Sequence, residues 1–287
     1  MNVQSASGSA SPSTWGEIYQ VPGRTSREIL LRARELCLSG NIQQFRDLID
    51  SAQSSSENFH IEDFGIIMGQ AVEQDSVIFM RELMDRGFPT HSIYARNATR
   101  FKSKNALALL IEKGWDINEP IIAIEDEEMT TWFLDHGADP NRRTFIDLTP
   151  LSWAVGRSPV SVIRLMLDYC QDIHPGQLLH HAVQRESDTI EVLEMLIQKG
   201  APLNTPVHED LPTLSILCFM PLGTALHRAC ELGKVDVVRY LLSKGADQSV
   251  RDSNGLTAIE LAAGLNQQEV VEVLQKHRNG GNPVDHP

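Results

Sequence analysis

The sequence predicts an all-α protein, a solenoid of about eight stacked and irregular helix pairs. Residues 223–252 predict two short antiparallel helices, because Gly233 interrupts two amphipathic stretches and Gly245 follows the second one. Glycine commonly ends a helix in this way, since it adopts a positive φ without strain. Poorer copies of the same pattern recur along the chain, and such pairs bury their apolar faces only when they stack on one another.

The copies follow one another in order along the chain. Each has two amphipathic stretches, and six of the second stretches end at a shared position, occupied by Gly87, Gly114, Gly137, Cys170, Gly200 and Gly245. In the copy that ends at Cys170, the expected glycine is missing. The predicted copies cover residues 31–50, 66–87, 93–114, 119–137, 149–170, 177–200, 223–245 and 256–274.

The most regular copy identifies a family. Thr224-Ala225-Leu226-His227 and Gly245-Ala246-Asp247 resemble the Thr-Pro-Leu-His and Gly-Ala-Asp motifs of the ankyrin repeat, and Thr149-Pro150-Leu151 opens another clear copy. The resemblance covers roughly residues 28–277 and is strongest over 149–277. It implies an ankyrin-type fold with a protein-binding role, and it gives His227 and His180 a structural position at the start of their helices.

The predicted domain organisation is simple. Residues 1–14 are Ser-rich and predict a disordered tail. Residues 15–277 form one solenoid, which a long insertion at 205–222 interrupts, and residues 278–287 form a flexible tail. Long loops are uncommon in compact proteins and are often functional. The insertion therefore either folds back over the neighbouring copy or extends as a hairpin finger, or it forms a lid or wall of a binding site.

The composition excludes several classes of function. The chain has 25 basic and 38 acidic residues and a net charge of −13, which disfavours nucleic acid and anionic membranes as partners. The four cysteines lack metal-ligand spacing, and we find no leader, no apolar run of membrane length and no catalytic motif. We therefore expect a cytoplasmic or nuclear binding protein rather than an enzyme, with no cofactor and no metal.

The ankyrin resemblance also predicts the binding residues. In that architecture, positions four, seven and eight after the Thr position line a concave groove, together with the turns between copies. An acidic chain would thus place several Arg side chains and Trp153 in one groove, and Arg and Trp often dominate binding energy. The predicted site residues are Arg100, Phe101, Arg142, Arg143, Trp153, Arg157, His181, Gln184, Arg185, Arg228 and Glu231.

Several functions remain open for this groove. An Arg-rich surface suits an acidic segment of a protein partner, because guanidinium binds carboxylate in a bidentate way. Alternatively, the 205–222 insertion closes a pocket for a small anionic ligand, with His181 as a catalytic acid or base. The arginines could instead pair with Asp147, Glu186 and Glu231, or bind phosphorylated serines of the N-terminal tail.

Overall fold

The computed structural model describes residues 24–55, 58–119, 126–143, 148–174, 177–206 and 223–280. Within these ranges the regular structure is helical, with one isolated antiparallel bridge between Arg251 and Thr257. This confirms the all-α prediction. The chain falls into two compact units, Met1–Ile121 and Ile122–Pro287, which are described separately below.

The first unit consists of helix pairs in two rows. Its helices are α1 (Arg27–Leu38), α2 (Ile42–Ser55), α3 (Gly65–Glu73), α4 (Val77–Asp85), α5 (Ser92–Phe101) and α6 (Lys104–Glu112), with a 3₁₀ helix at Ile61–Phe64. The first helices α1, α3 and α5 pack in one row, and the second helices α2, α4 and α6 pack in the other. Phe45 and Phe79 meet edge to face at 5.0 Å between ring centroids, which joins neighbouring second helices through the core.

The second unit repeats this arrangement. Its helices are α7 (Glu127–Asp135), α8 (Pro150–Arg157), α9 (Val160–Tyr169), α10 (Leu178–Val183), α11 (Thr189–Gln198), α12 (Ala225–Glu231), α13 (Val235–Ser243), α14 (Ala258–Gly264) and α15 (Gln268–Arg278). The first helices α8, α10, α12 and α14 pack in that order, and the second helices form a parallel row. One apolar cluster runs from Leu134 to Leu274 between the two rows.

The described residues hold seven complete helix pairs and the single helix α7. Because α7 packs on α9, it occupies the position of a second helix. Its partner in the predicted copy at 119–137 would fall at residues 120–125, outside the described residues. The total of eight copies therefore stays a prediction.

Glycine ends the second helices wherever the backbone requires it. Gly87, Gly114, Gly137, Gly200 and Gly245 all have φ between 92° and 96°, a region that L side chains rarely adopt. Cys170 differs, because it has φ −89° and ψ 126° and is extended. In that copy the second helix ends without a residue in the left-handed conformation. The expectation that Cys170 replaces a required glycine was therefore wrong.

The predicted tails and most of the insertion fall outside the description. Residues 1–23, 207–222 and 281–287 are not described, so the disordered tail, the 205–222 insertion and most of the 278–287 tail stay predictions. Helix α15 continues to Arg278, the first residue of that predicted tail. Among the helices that the structure describes, we find none with the length and apolarity needed to cross a membrane.

Candidate functional site

An exposed tryptophan lies on the first helix α8 of the second unit. Trp153 is 43% exposed and lies one turn before the end of α8. The guanidinium of Arg157 lies over its ring at 4.7 Å from the centroid, because residues i and i+4 share a helix face. Together the two side chains form an exposed cation–π pair, which combines an aromatic surface with a positive charge.

Two further arginines lie in the turn that precedes α8. Arg142 and Arg143 are both exposed in the segment between α7 and α8. The pKa of Asp172 is lowered by hydrogen bonds from the backbone and side chain of His174, and Arg143 adds a smaller electrostatic contribution. Arg143 therefore lies close enough to Asp172 to interact with it, while Arg142 faces water.

The structure places Arg185 inside the protein rather than in an exposed groove. Arg185 is only 7% exposed, and its Nη1 donates to the carbonyl of Val155 at 2.8 Å. Its Nε donates to the carbonyl of Ser187 at 3.1 Å, and Asp188 lies 3.9 Å from the guanidinium. Because these bonds join α8 to the turn after α10, Arg185 has a structural role and is not available to a partner.

Arg228 and Glu231 form an ion pair on α12. Arg228 Nη1 lies 2.6 Å from Glu231 Oε2, so the alternative of internal pairing is confirmed for this arginine. Its Nε is buried and has no partner within the described ranges. Lys234 lies nearby and donates to the carbonyl of Arg185, and burial lowers its pKa. Within the ion pair, the charges of Arg228 and Glu231 offset each other.

His181 and Gln184 lie on and just after α10. Gln184 is exposed, and His181 is half-buried against α8. A Cβ at Gly156 would lie 3.8 Å from His181 Nδ1, an ordinary van der Waals distance, so the imidazole packs closely against this part of α8. Since residues 207–222 are not described, the pocket that would use His181 as acid or base stays a prediction.

Arg100 and Phe101 belong to the first unit. Arg100 is exposed at the end of α5, and its guanidinium lies 5.7 Å from the ring centroid of Phe101. They make a second, weaker cation–π pair. Trp153 belongs to the second unit, so the prediction that these residues share its groove stays a prediction.

The two histidines with an expected structural position fit that role. Thr224 N–H donates to His227 Nδ1 at 3.2 Å, so the other ring nitrogen carries the proton and donates to the carbonyl of Leu256 at 3.1 Å. His180 Nε2 contacts the carbonyl of Gly223 at 2.8 Å in the same way. Each ring thus connects the start of one first helix to the segment before the next.

The sequence reasoning did not single out one exposed apolar side chain, a leucine at the end of α14. Leu265 is 45% exposed and lies eight residues after Thr257, the N-cap of α14. Applying the same count from the Thr position to the last copy would have found it. Among the described residues, no three His, Cys, Asp or Glu side chains are grouped as a metal site would require.

These features define a helical-repeat protein. Stacked helix pairs, glycine-ended second helices and side chains that join successive copies are the properties of this class. A sequence model described as "Ankyrin repeats (3 copies)" matches residues 213–285. Residues 213–285 therefore carry ankyrin repeats, and ankyrin repeats generally mediate protein–protein interaction.

Curated relatives agree with this family. A protein of Treponema pallidum (strain Nichols) named for its ankyrin repeats is 32% identical over 129 residues, which cover 43% of this chain and 38% of that protein. A second protein named for its ankyrin repeats, from Rickettsia felis, is 24% identical over 200 residues, which cover 55% of this chain and 49% of that protein. The ankyrin repeat and KH domain-containing protein mask-1 of Caenorhabditis elegans is 30% identical over 138 residues, or 47% and 5%. The chain spans less than half the length of these three relatives.

Proposed function

We propose that the chain is a protein-binding module that uses the first-helix face of the second unit to hold an acidic segment of another protein. We define this arginine–tryptophan surface by Arg142, Arg143, Trp153 and Arg157. The observation that carries the proposal is the exposed Trp153 with Arg157 stacked on it. This cation–π pair offers apolar contact area and a charge-assisted hydrogen-bond donor at adjacent positions.

The charge of the chain makes the choice of partner more specific. The net charge is −13, so a partner with a large positive surface would find more opposite charge elsewhere on the protein. The arginine–tryptophan surface is a local exception. Its three arginines would select carboxylates, and the indole would contact an apolar side chain next to them.

Affinity capture with charge-reversed variants tests this proposal. Proteins captured by the wild-type chain would be compared with those captured by the triple variant Arg142→Glu, Arg143→Glu and Arg157→Glu. We expect the amount of each specific partner captured by the triple variant to fall at least tenfold, because the reversed charges repel the carboxylates of the partner and like charges across an interface cost several kcal/mol.

Arg164→Glu is the matched control, since Arg164 is an exposed arginine of α9 in the other row of helices. The captured proteins should be the same for this control and for the wild type. Identical capture by all three proteins would contradict the proposal.

A further inference from the structure

One position recurs at the end of each first helix that the structure describes in the second unit. It lies eight residues after the N-cap, and the N-caps of α8, α10, α12 and α14 are Thr149, Gln177, Thr224 and Thr257. Because neighbouring first helices pack side by side, these positions form a row across the face. The row consists of Arg157, Arg185, Leu232 and Leu265.

The chemistry of the row changes from one end to the other. Arg157 is an exposed cation, Arg185 is buried, and Leu232 and Leu265 are 39% and 45% exposed. The two leucines lie on adjacent helices, and Gln267 just after Leu265 donates to the carbonyl of Glu231 at 3.4 Å, which keeps the two helix ends together. Exposed large apolar residues on adjacent elements are typical of an interaction surface.

We infer that this row recognises an extended peptide segment with two distinct parts, an acidic residue at Arg157 and an apolar residue at Leu232 and Leu265. The inference rests on the proposed function and adds a second contact, a spacing and a direction to it. The occupant is an acidic–apolar segment, because its two chemistries are complementary to the two ends of the row. The ion pair between Arg228 and Glu231 leaves the middle of the row without a strong charge preference.

The helix packing sets the spacing of the segment. Packed helices lie about 8–10 Å apart, so Leu232, two helices beyond Arg157, is about 16–20 Å from it. Leu265 is one helix further, at about 24–30 Å from Arg157. An extended chain advances about 3.3 Å per residue, so the acidic and first apolar residues should lie about five or six positions apart. A second apolar residue would follow about two or three positions later.

Selection from a display library of random 12-residue peptides tests the inference on the full chain. We expect the selected peptides to share an acidic residue and an apolar residue at the stated spacing, in one fixed order. The selected peptides would then be measured against Leu232→Asp and Leu265→Asp. Each variant should weaken binding by tenfold or more, because it removes an apolar contact and adds a charge that repels the acidic peptide.

Leu256→Asp is the matched control. Leu256 is a leucine of similar exposure, 38%, in the segment before α14, at the opposite end of that helix from Leu265. This variant adds the same charge to the same unit, so it should change the affinity by less than about twofold, consistent with the small effect of a distant surface charge.

The outcomes separate this inference from the proposed function. Acidic peptides that depend on Arg157 but show no fixed apolar position, and that bind the Leu232→Asp variant normally, would overturn the inference and leave the proposed function standing. Peptides without acidic residues, or with unchanged affinity for Arg157→Glu, would overturn both. Failure of the library to yield any peptide would also overturn both, because each requires recognition of a linear segment.

Discussion

At the residue scale, two arginines with the same predicted role have different environments. Arg157 and Arg185 both lie eight residues after an N-cap, yet Arg157 stacks on an exposed indole and Arg185 is buried. The count from the N-cap cannot separate them. The difference comes from two carbonyl groups that accept hydrogen bonds from Arg185, that of Val155 in α8 and that of Ser187 in the turn after α10.

This difference gives a stability prediction. Arg185→Met should lower the free energy of unfolding by about 2 kcal/mol or more, because hydrogen bonds to charged groups contribute about 1.5–3 kcal/mol and the carbonyls of Val155 and Ser187, the first of them in a buried bond, would lose their donor. Arg157→Met should change it by less than about 0.5 kcal/mol, as is usual for an exposed residue. Urea denaturation of both variants measures the contrast, and equal losses would show that Arg185 is not the structural residue.

His227 predicts a pH dependence of stability. Burial lowers its pKa below 6.5, and its Nδ1 accepts a hydrogen bond from Thr224, so the folded protein favours the neutral ring. The unfolded chain therefore binds a proton more readily than the folded one. The contribution of the neutral ring is complete above pH 6.5 and is lost as the pH falls below that value, by at most about 1.4 kcal/mol per pH unit.

The comparison with His227→Gln isolates this effect from the other titrating groups. Unfolding free energies of both proteins would be measured by urea denaturation between pH 7.5 and 5.5. The wild type should lose more stability over this range than the variant. Parallel pH profiles would mean that His227 titrates alike in the folded and unfolded states.

At the element scale, one helix of the first unit is capped by a residue of the preceding copy. Asp75, in the turn before α4, accepts hydrogen bonds from the backbone N–H groups of Asn105 and Ala106 at 3.3 and 2.7 Å. These are the second and third residues of α6, whose positional N-cap Ser103 makes no side-chain cap. A carboxylate there also interacts favourably with the helix dipole.

Replacing this cap should destabilise the first unit. Asp75→Gly removes the acceptor but tolerates the positive φ of 52° at this position, so the cost should be close to the cap alone, about 0.5–2 kcal/mol. Asp75→Asn keeps an acceptor oxygen and a tolerance for this backbone region, and it should cost clearly less. The denaturant midpoints of Asp75→Gly and Asp75→Asn provide the measurement. If Asp75→Asn were as unstable as Asp75→Gly, Asp75 would not act as the cap of α6.

The backbone conformation at Cys170 predicts that introducing the glycine typical of the family at this position will not stabilise the protein. The family pattern has glycine at this position, but the residue is extended, with φ −89°. Cys170→Gly should therefore lower stability by about 0.5–1 kcal/mol, because glycine adds freedom to the unfolded chain and gains nothing in the folded one. A higher melting temperature for the variant would contradict this backbone assignment.

At the scale of the whole molecule, the sequence predicted the repeats better than the site. Helix pairs and their glycine ends follow from local patterns, such as the helical spacing before Gly245 and its positive φ. The site depends on which side chains the neighbouring copies bury. Arg185 was expected in the groove and is internal, whereas Leu265 was not considered and is exposed. Local patterns cannot report this, because the partners of each side chain come from other copies.

The last helix pair gives a prediction for the repeat array as a whole. Ala258, Ala262, Val270 and Leu274 are buried against the preceding pair, whereas Glu272 faces water. A stack of repeats draws its stability from such neighbour contacts, and its terminal copy protects the apolar face beneath it. Deleting residues 255–287 should therefore lower the stability of the second unit by several kcal/mol, since each fully buried Val or Leu contributes about 1.5–3 kcal/mol.

The deletion should also expose apolar surface on α12 and α13 and promote aggregation. Thermal unfolding and light scattering of the deletion variant would measure both effects. Deletion of residues 281–287 alone is the control, because it keeps the helix pair and removes only the end of the chain. Glu272→Ala should leave the melting temperature nearly unchanged, because this side chain lies on the water-facing side of α15. A deletion variant as stable and as monodisperse as the full chain would mean that α14 and α15 do not cap the array.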